Sequence, residues 1–189
     1  MPMLSILAAF ALFAASARAD DVADARGFLQ AAAQQVRADA AQGEERQRFA
    51  AVLDRDFDVR AMGAFVLGRY WSSASDQARH DFVDAFRAYL AKSYAKRFFV
   101  YAGRPMTIVS AHSAGTAAAM VRTNVLEADN REVGVDWQLS KADGGWRIVD
   151  VVVEGVSMGQ TQRADFGSVL QSSNGDLGKL TAMLRQRSQ

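Results

Sequence analysis

The 189-residue sequence contains no cysteine. No disulfide can form, so an exported chain of this composition takes its stability from core packing. The absence of thiols also excludes thiol catalysis and metal sites with cysteine ligands. Half of the residues are hydrophobic, which allows a substantial core, and the length suits one ordinary domain.

Histidine is nearly as scarce, with only His80 and His112. Neither has a second histidine or a glutamate at ligand spacing, so we expect two solvated histidines and no metal site. No serine lies in a G-x-S-x-G elbow, and Gly144-Gly145 lacks the pattern of a phosphate-binding loop. We therefore expect neither a catalytic residue nor a cofactor.

The N-terminus carries the pattern of a secretory signal peptide. Residues 4–15 are predominantly apolar, and Ala17-Arg18-Ala19 fits a small-x-small cleavage site. We expect residues 1–19 to be removed before Asp20 and residues 20–189 to form one exported domain. That removal leaves 21 basic and 21 acidic residues. A neutral chain argues against a nucleic-acid binder and against a protein held on anionic membrane by charge alone.

Helical patterns fill the first half of the chain. They predict helices over residues 24–42 and 44–55, with a break at Gly43, and a short helix capped by Asp58 that ends near Gly68. The strongest pattern predicts a long helix, capped by Ser73 or Ser75, that Gly103 and Pro105 stop.

The second half begins with strand patterns. They predict strands over 106–111 and 117–128, then a hairpin of 133–140 and 146–153 that turns through residues 142–145. The last strand is apolar on both faces, so other parts of the chain must pack against both faces. Helical patterns return after Gly155, with a break at Asn174-Gly175. The fold class is therefore α+β, with a four-stranded antiparallel curved sheet wrapped by N-terminal and C-terminal helices that can enclose an apolar cavity.

Asp150 interrupts the apolar run of the last strand. One interpretation is a general base with a raised pKa, in a small α+β isomerase or dehydratase. The other is a structural carboxylate paired with an arginine on an adjacent strand, such as Arg122. Residues 70–101 also hold a surplus of aromatic side chains, which suits either a large core or the wall of an apolar cavity.

Several motifs resemble those of the periplasmic phospholipid-shuttle proteins of the Mla lipid-transport system, also called the toluene-tolerance family. The resemblance covers roughly residues 58–187. Its motifs are F-V-L-G-R-Y-W at 65–71, A-F-R-A-Y-L at 85–90 with Tyr94, D-W at 136–137, W-R-I-V-D at 146–150 and E-G-V-S-M at 154–158.

This resemblance implies a carrier that holds lipid acyl chains between sheet and helices. It implies two partners, an inner-membrane ABC transporter complex and an outer-membrane lipoprotein complex. A hopanoid-associated branch of the family, to which Thr161-Gln162-Arg163 could belong, would carry a triterpenoid lipid instead. A scaffold that only docks partners is a further alternative, and it would have a filled interior.

By the family's pattern, the lipid-binding residues come from the long helix, the sheet and the helix after Gly155. Four of them lie in matching motifs and the others rest on spacing. The predicted lining residues are Tyr70, Phe82, Phe86, Leu90, Tyr94, Val125, Val135, Trp137, Ile148, Val151, Val153, Met158 and Phe166.

Overall fold

The computed structural model of the chain describes residues 5–38, 44–142 and 144–189. These residues form seven helices and five strands. The helices are α1 Ser5–Ala38, α2 Glu45–Asp56, α3 Val59–Leu67, α4 Arg69–Ser73, α5 Asp76–Ala102, α6 Met158–Ser172 and α7 Leu177–Arg187. The strands are β1 Met106–Gly115, β2 Ala118–Leu126, β3 Glu132–Ala142, β4 Gly145–Val153 and β5 Val156–Ser157.

Polar side chains begin the helices where the sequence predicts them. The Asp58 carboxylate accepts a hydrogen bond from the Ala61 amide at 2.8 Å, and the Ser75 hydroxyl accepts one from the Ala78 amide at 3.2 Å. Each cap pairs one of the amides that a helix start leaves free. Gly68 ends α3 at a φ of +54°, a conformation that favours glycine.

The five strands form one antiparallel sheet in the order β1-β2-β3-β4-β5. The prediction of four strands is wrong, because β5 pairs Val156 with Val153 and Ser157 with Val152. A turn with positive φ at Glu154 and Gly155 joins β4 to β5. Positive φ at both central residues is typical of a tight hairpin turn. Two residues are too few to show the alternating pattern of a strand, so β5 was not predicted from the sequence.

Other predicted boundaries also shift. The helix expected to begin at residue 24 extends back to Ser5, since its alanine-rich sequence favours helix throughout. The short helix α4, between the predicted short helix and the predicted long helix, was not predicted. Strand β1 continues to Gly115 through two irregularities in its register with β2. The predicted break at Gly43 and Asp143 of the predicted turn lie outside the described residues, and the signal peptide stays a prediction.

Helices and sheet share a core that is closely packed at one end. Helix α5 packs against α2, α3 and α7, while α1 lies against β1 and β2. We call the group of Phe82, Phe166, Leu170, Leu180 and Leu184 the closed core, since each is at most 1% exposed. Phe166 meets Phe82 edge to face, with ring centroids 6.3 Å apart. Such aromatic contacts add to the stabilisation from buried area.

A second buried cluster lies apart from the closed core. We call Val125, Val133 and Val135 the open core, and partly buried apolar residues of α5 and the sheet pack around them. Trp137 and Val151 contact both clusters. These two residues therefore connect the two buried clusters. No helix within the described ranges is long and apolar enough to cross a membrane.

Candidate functional site

An apolar cavity of about 400 Å³ lies between the sheet and the helices. This volume falls within the range of small-molecule sites, roughly 300–1,000 Å³. Its wall comes from α1, α2, α3, α5 and α6, together with the sheet. Residues of both buried clusters line this space.

One face of α5 supplies a long stretch of the wall. Phe86, Leu90, Tyr94 and Phe98 follow one another at four-residue intervals, and Tyr101 continues the row. Side chains four residues apart lie on one face of an α-helix. At 1.5 Å per residue, the row from Phe86 to Tyr101 extends over roughly 22 Å. The cavity is therefore elongated along this helix.

The strands β2, β3 and β4 supply the opposite wall. Val133, Val135 and Trp137 alternate along β3, as period-2 geometry requires. In β4 the register with β3 shifts between Gln138 and Leu139, so one extra residue interrupts the alternation. This bulge allows Ile148 and Val151 to line the same cavity although they are three residues apart.

Ten of the thirteen predicted residues lie together on the cavity wall. Helix α5 contributes three, the sheet six and α6 one. They are Phe86, Leu90, Tyr94, Val125, Val135, Trp137, Ile148, Val151, Val153 and Met158. These ten residues therefore line one cavity, as the prediction requires. Their contact with lipid stays a prediction.

The other three predicted residues lie elsewhere. Phe82 and Phe166 belong to the closed core and are at most 1% exposed. Tyr70 contacts the turn after α6, where an added Cβ at Gly175 would lie 3.1 Å from its ring. Helical spacing predicts correctly that Phe82 and Phe166 face inward. Spacing alone does not distinguish a residue that lines a cavity from one that is packed in a filled core.

Sequence reasoning missed the contribution of α1 and α2. The apolar faces of these two helices also line the cavity, with α1 lying against β1 and β2 and α2 against α5. Their main wall residues are Leu29, Ala32, Ala33, Val36, Phe49, Val52 and Leu53. The seven-residue interval from Leu29 to Val36 is a helical signal of an inward face. That signal was present, although the family motifs do not reach this part of the chain.

Few polar groups interrupt the wall. The Gln162 amide donates a hydrogen bond from Nε2 to the Tyr94 hydroxyl at 3.0 Å. Gln162 is 5% exposed, and its Oε1 has no hydrogen-bond partner among the described residues. Burial, followed by the nearby Tyr89, raises the pKa of Tyr94 above its ordinary value. Tyr94 therefore remains a protonated donor at neutral pH.

Asp150 is a buried anchor of the α6 N-terminus. It is 7% exposed and accepts hydrogen bonds from the Gly159 amide at 2.8 Å, the Val151 amide at 2.9 Å and the Ser157 hydroxyl at 2.5 Å. A carboxylate is favoured at a helix N-terminus by the helix dipole. The suggested partner Arg122 instead lies 3.6 Å from Asp136. Amides and a hydroxyl, rather than an arginine, thus satisfy Asp150.

The two histidines occupy exposed positions. His80 lies 3.4 Å from Asp84 one turn along α5, and His112 lies on the exposed part of β1. Within residues 5–38, 44–142 and 144–189, no group of three or more histidine, aspartate or glutamate side chains is arranged to hold a metal ion.

Solved structures include a similar fold. The phospholipid-binding protein from Ralstonia solanacearum, determined in complex with a phospholipid, superposes with a TM-score of 0.72 at 21% sequence identity. The match covers 88% of this chain and 96% of the other. At this identity the likeness shows a shared fold.

Two curated relatives match part of the chain. The intermembrane phospholipid transport system binding protein MlaC of Haemophilus influenzae is 28% identical over 100 residues, which are 51% of this chain and 47% of the relative. The toluene tolerance protein ttg2D of Pseudomonas putida is 23% identical over 111 residues, or 59% of this chain and 52% of the relative. Each match thus spans about half the relative's length.

A family model covers far more of the chain than either pairwise match. The model described as MlaC protein matches residues 26–186, which include every cavity-lining segment from α1 to α6. The resemblance seen in the sequence motifs is confirmed, and the chain belongs to the MlaC family.

Proposed function

We propose that the protein is a phospholipid carrier that holds acyl chains in the cavity between sheet and helices. The observation that carries this proposal is the elongated apolar space of about 400 Å³ in a member of the MlaC family. The names of the relatives and the phospholipid bound to the similar fold support the same cargo class. Phe86, Leu90, Val135, Trp137 and Val151 are among the proposed chain contacts.

The energetics suit exchange rather than capture. Burying about 30 methylenes at ~0.8 kcal/mol each stabilises the bound lipid by roughly 24 kcal/mol relative to water. The membrane that the lipid leaves offers nearly the same stabilisation. Loading and unloading are therefore close to balanced, and the direction of transport comes from partners. A carrier needs an apolar wall and no reactive group, so we propose no enzymatic activity.

We further propose that residues 1–19 direct export and that residues 20–189 act in the periplasm as one domain. The partners would be an inner-membrane ABC transporter complex and an outer-membrane lipoprotein complex, in keeping with the family. Among the residues whose side chains the structure describes, the cavity wall begins at Leu29 in α1, downstream of the proposed cleavage site. Removal of the first 19 residues therefore leaves these lining side chains in place.

Native mass spectrometry of gently purified protein tests the cargo. We expect a lipid adduct, and organic extraction followed by fragmentation identifies its class. Recovery of a triterpenoid would favour the hopanoid alternative over a phospholipid. Protein that is repeatedly free of lipid and transfers none between vesicles would contradict the carrier proposal.

A matched pair of substitutions in β4 tests the location of the cargo. Val151 lines the cavity, whereas its neighbour Val152 does not. We expect Val151→Phe to fill part of the space and reduce the amount of co-purified lipid several-fold. Val152→Phe enlarges the same strand on its other side and should retain the lipid. Equal retention by both folded variants would place the cargo elsewhere.

A further inference from the structure

The sequence motif at residues 65–71 contributes little to the cavity. Val66 of this motif lines the cavity wall, whereas the aromatic residues Phe65, Tyr70 and Trp71 do not. Phe65 is 39% exposed, and Tyr70 and Trp71 are half-buried. Aromatic side chains at a protein surface are enriched in binding interfaces. These three rings therefore form part of the molecular surface outside the proposed lipid site.

An arginine contacts two of these rings from neighbouring elements. The Arg163 guanidinium carbon lies 5.2 Å from the Phe65 ring centroid, and that of Arg69 lies 4.9 Å from the Tyr70 ring centroid. Both distances fall within the range of cation–π contacts, about 6 Å. Arg163 also donates a hydrogen bond to the Phe65 carbonyl at 2.8 Å, so its side chain is held in place at the end of α3.

The third ring contacts two arginines. The guanidinium carbon of Arg60, in α3, lies 5.2 Å from the Trp71 ring centroid, and that of Arg79, in α5, lies 5.7 Å from it. Arg79 also donates to the Trp71 carbonyl at 2.9 Å and to the Ser72 carbonyl at 3.2 Å. Four arginines thus surround the short helix α4. We call them and the three rings the arginine surface: Arg60, Phe65, Arg69, Tyr70, Trp71, Arg79 and Arg163.

Two of these arginines keep most of their N–H groups free. A contact with a ring uses the planar face of a guanidinium, while its five N–H donors point outward in the plane. Arg69 donates to the Tyr70 hydroxyl at 3.0 Å, and Arg60 donates no hydrogen bond to the residues that the structure describes. Both are exposed. Their ring contacts restrict the side chains beforehand, which lowers the entropy cost of binding a ligand.

The arginine surface is poor in carboxylates. Within the described part of the chain, its one salt bridge joins Arg79 to Asp76 at 3.0 Å. The Asp76 side chain is 94% exposed, so this pair is a weak surface interaction. Most of the positive charge of the four guanidinium groups therefore remains unpaired. A surface of this kind attracts a partner of negative charge.

A groove of about 500 Å³ continues the arginine surface beside α4. Helix α4 contributes Arg69, Tyr70 and Ser73, and the end of α6 with the following turn contributes Gln171 and Asn174. The side-chain amides of Gln171 and Asn174 can donate to and accept from the backbone of an extended chain. A peptide segment can enter such a groove, whereas the flat surface of a membrane cannot.

We propose that the arginine surface and its groove dock an acidic segment of a partner protein. Carboxylates of that segment pair with Arg60 and Arg69, and its backbone lies in the groove. Helix α3 connects this second site to the first, because Met62 and Val66 line the cavity while Arg60 and Phe65 belong to the arginine surface. Docking therefore leaves the cavity wall unobstructed. The inference goes beyond the proposed function, since it assigns a site that holds no cargo.

Fluorescence polarisation with a synthetic peptide tests the requirement for negative charge. The probe is a fluorescein-labelled peptide that alternates glutamate and leucine, and the comparison peptide has glutamine in place of glutamate. We expect the wild type to bind the acidic peptide at least about tenfold more tightly, the equivalent of one charge-assisted bond. Added salt should weaken this binding. Equal affinities for the two peptides, or no binding of either, would overturn the inference.

A matched pair of double variants tests the location. Arg60→Gln with Arg69→Gln removes the guanidinium groups that have free donors and should weaken binding of the acidic peptide about tenfold or more. Arg26→Gln with Arg187→Gln removes the same charge from exposed positions on α1 and α7 and should leave the affinity nearly unchanged. Equal losses in the two variants would mean attraction by net charge alone and would overturn the inference.

A second matched pair tests the groove. Gln171→Trp places a large side chain in the groove and should weaken binding of the acidic peptide several-fold. Gln160→Trp makes the same change at an exposed position of α6 outside the groove and should retain the affinity. Should the double arginine variant fail to fold by circular dichroism, this pair decides the proposal. Equal affinities of the two folded tryptophan variants would overturn it.

Vesicles and free phosphate distinguish an acidic protein segment from other anions. We expect neither phosphatidylglycerol vesicles nor millimolar inorganic phosphate to displace the acidic peptide. Sedimentation with these vesicles that depends on Arg60 and Arg69, in protein that does not bind the peptide, would overturn the inference in favour of a membrane surface. Displacement by phosphate would overturn it in favour of a small-anion site. Protein that binds the peptide but carries no lipid would contradict the proposed function and leave this inference intact.

Discussion

The closed core and the open core are built from the same class of residue, yet one is filled and the other borders a cavity. The closed core combines phenylalanine and leucine from three helices, and its aromatic rings meet within 6.3 Å. The open core consists of three valines on adjacent strands. These short side chains contact Tyr101 of α5 and leave part of the space between sheet and helices unfilled. Side-chain size, rather than polarity, therefore distinguishes the two regions.

Helix α6 belongs to both regions and shows the transition between them. Met158, Gly159 and Gln162 of its first two turns line the cavity, whereas Phe166 and Leu170 enter the closed core. One helix thus has a wall segment and a core segment. The difference between the two cores predicts that similar substitutions have unequal effects along this helix.

The largest expected effect is the truncation of Phe166. Phe166→Ala removes a fully buried ring with edge-to-face partners and should lower the free energy of unfolding by about 3–5 kcal/mol. Met158→Ala, on the half-buried wall segment of the same helix, should cost less than half as much. Urea unfolding measures both values. Equal losses would break the distinction between the two cores.

Replacing a buried valine by a larger residue usually destabilises a protein, but we expect almost no destabilisation at the cavity. Val121 is fully buried in β2 outside the cavity wall, so Val121→Phe overpacks the core and should destabilise the protein by about 1–3 kcal/mol. Val151→Phe extends into open space and should leave the stability of the lipid-free protein nearly unchanged. Comparable destabilisation of the two delipidated variants in urea would mean that the space is not available to a larger side chain.

Asp150 joins the sheet to the start of α6, where the two regions meet. Asp150→Ala leaves the Gly159 and Val151 amides without their acceptor and should lower the free energy of unfolding by about 1–3 kcal/mol. Asp150→Asn keeps one acceptor oxygen and should cost less. Thermal unfolding compares the two variants. A loss of stability as large in Asp150→Asn as in Asp150→Ala would show that the negative charge, not the acceptor geometry, holds the helix.

The smallest expected effect concerns Glu127, which pairs with Tyr101 of the cavity wall. The Tyr101 hydroxyl and the Arg131 guanidinium donate to Glu127, and these bonds lower the pKa of Glu127 below its ordinary value. Because the folded-state pKa is depressed, the stabilisation is complete above the ordinary carboxyl pKa and is lost as pH falls through the lowered value.

Glu127→Gln should therefore be less stable than the wild type at neutral pH and equal to it at strongly acidic pH. Urea unfolding across this pH range provides the measurement. Glu132→Gln is the control, because the exposed Glu132 accepts its hydrogen bond from the neutral Asn124 amide at 2.6 Å and not from an arginine. A difference that persists unchanged into acid would show that the carboxylate charge contributes nothing.

Much of the local structure was predictable because short-range chemistry determines it. The caps Asp58 and Ser75 and the left-handed turn at Asn174-Gly175 depend on neighbours within a few residues, and all are present. The strand β5 was not predictable from its pattern, because a two-residue strand has no period. Its position follows from a hairpin turn at Glu154-Gly155.

The candidate site was predictable in part. Ten predicted residues share the wall because helical and strand periods identify inward faces. The periods do not distinguish Phe86, at the cavity, from Phe82, one turn away in the closed core. Nor do they show that α1 and α2 line the same cavity as the sheet. Both distinctions depend on how separate elements pack.

The sequence by itself determined the α+β class, the helix limits set by caps and glycines, and the inward faces of strands and helices, because each depends on local geometry and side-chain polarity. Only the tertiary structure decided which inward faces meet and which remain apart. The β4 bulge and the approach of α1 and α2 to the sheet set those distances. They left an apolar cavity beside the valines of the open core.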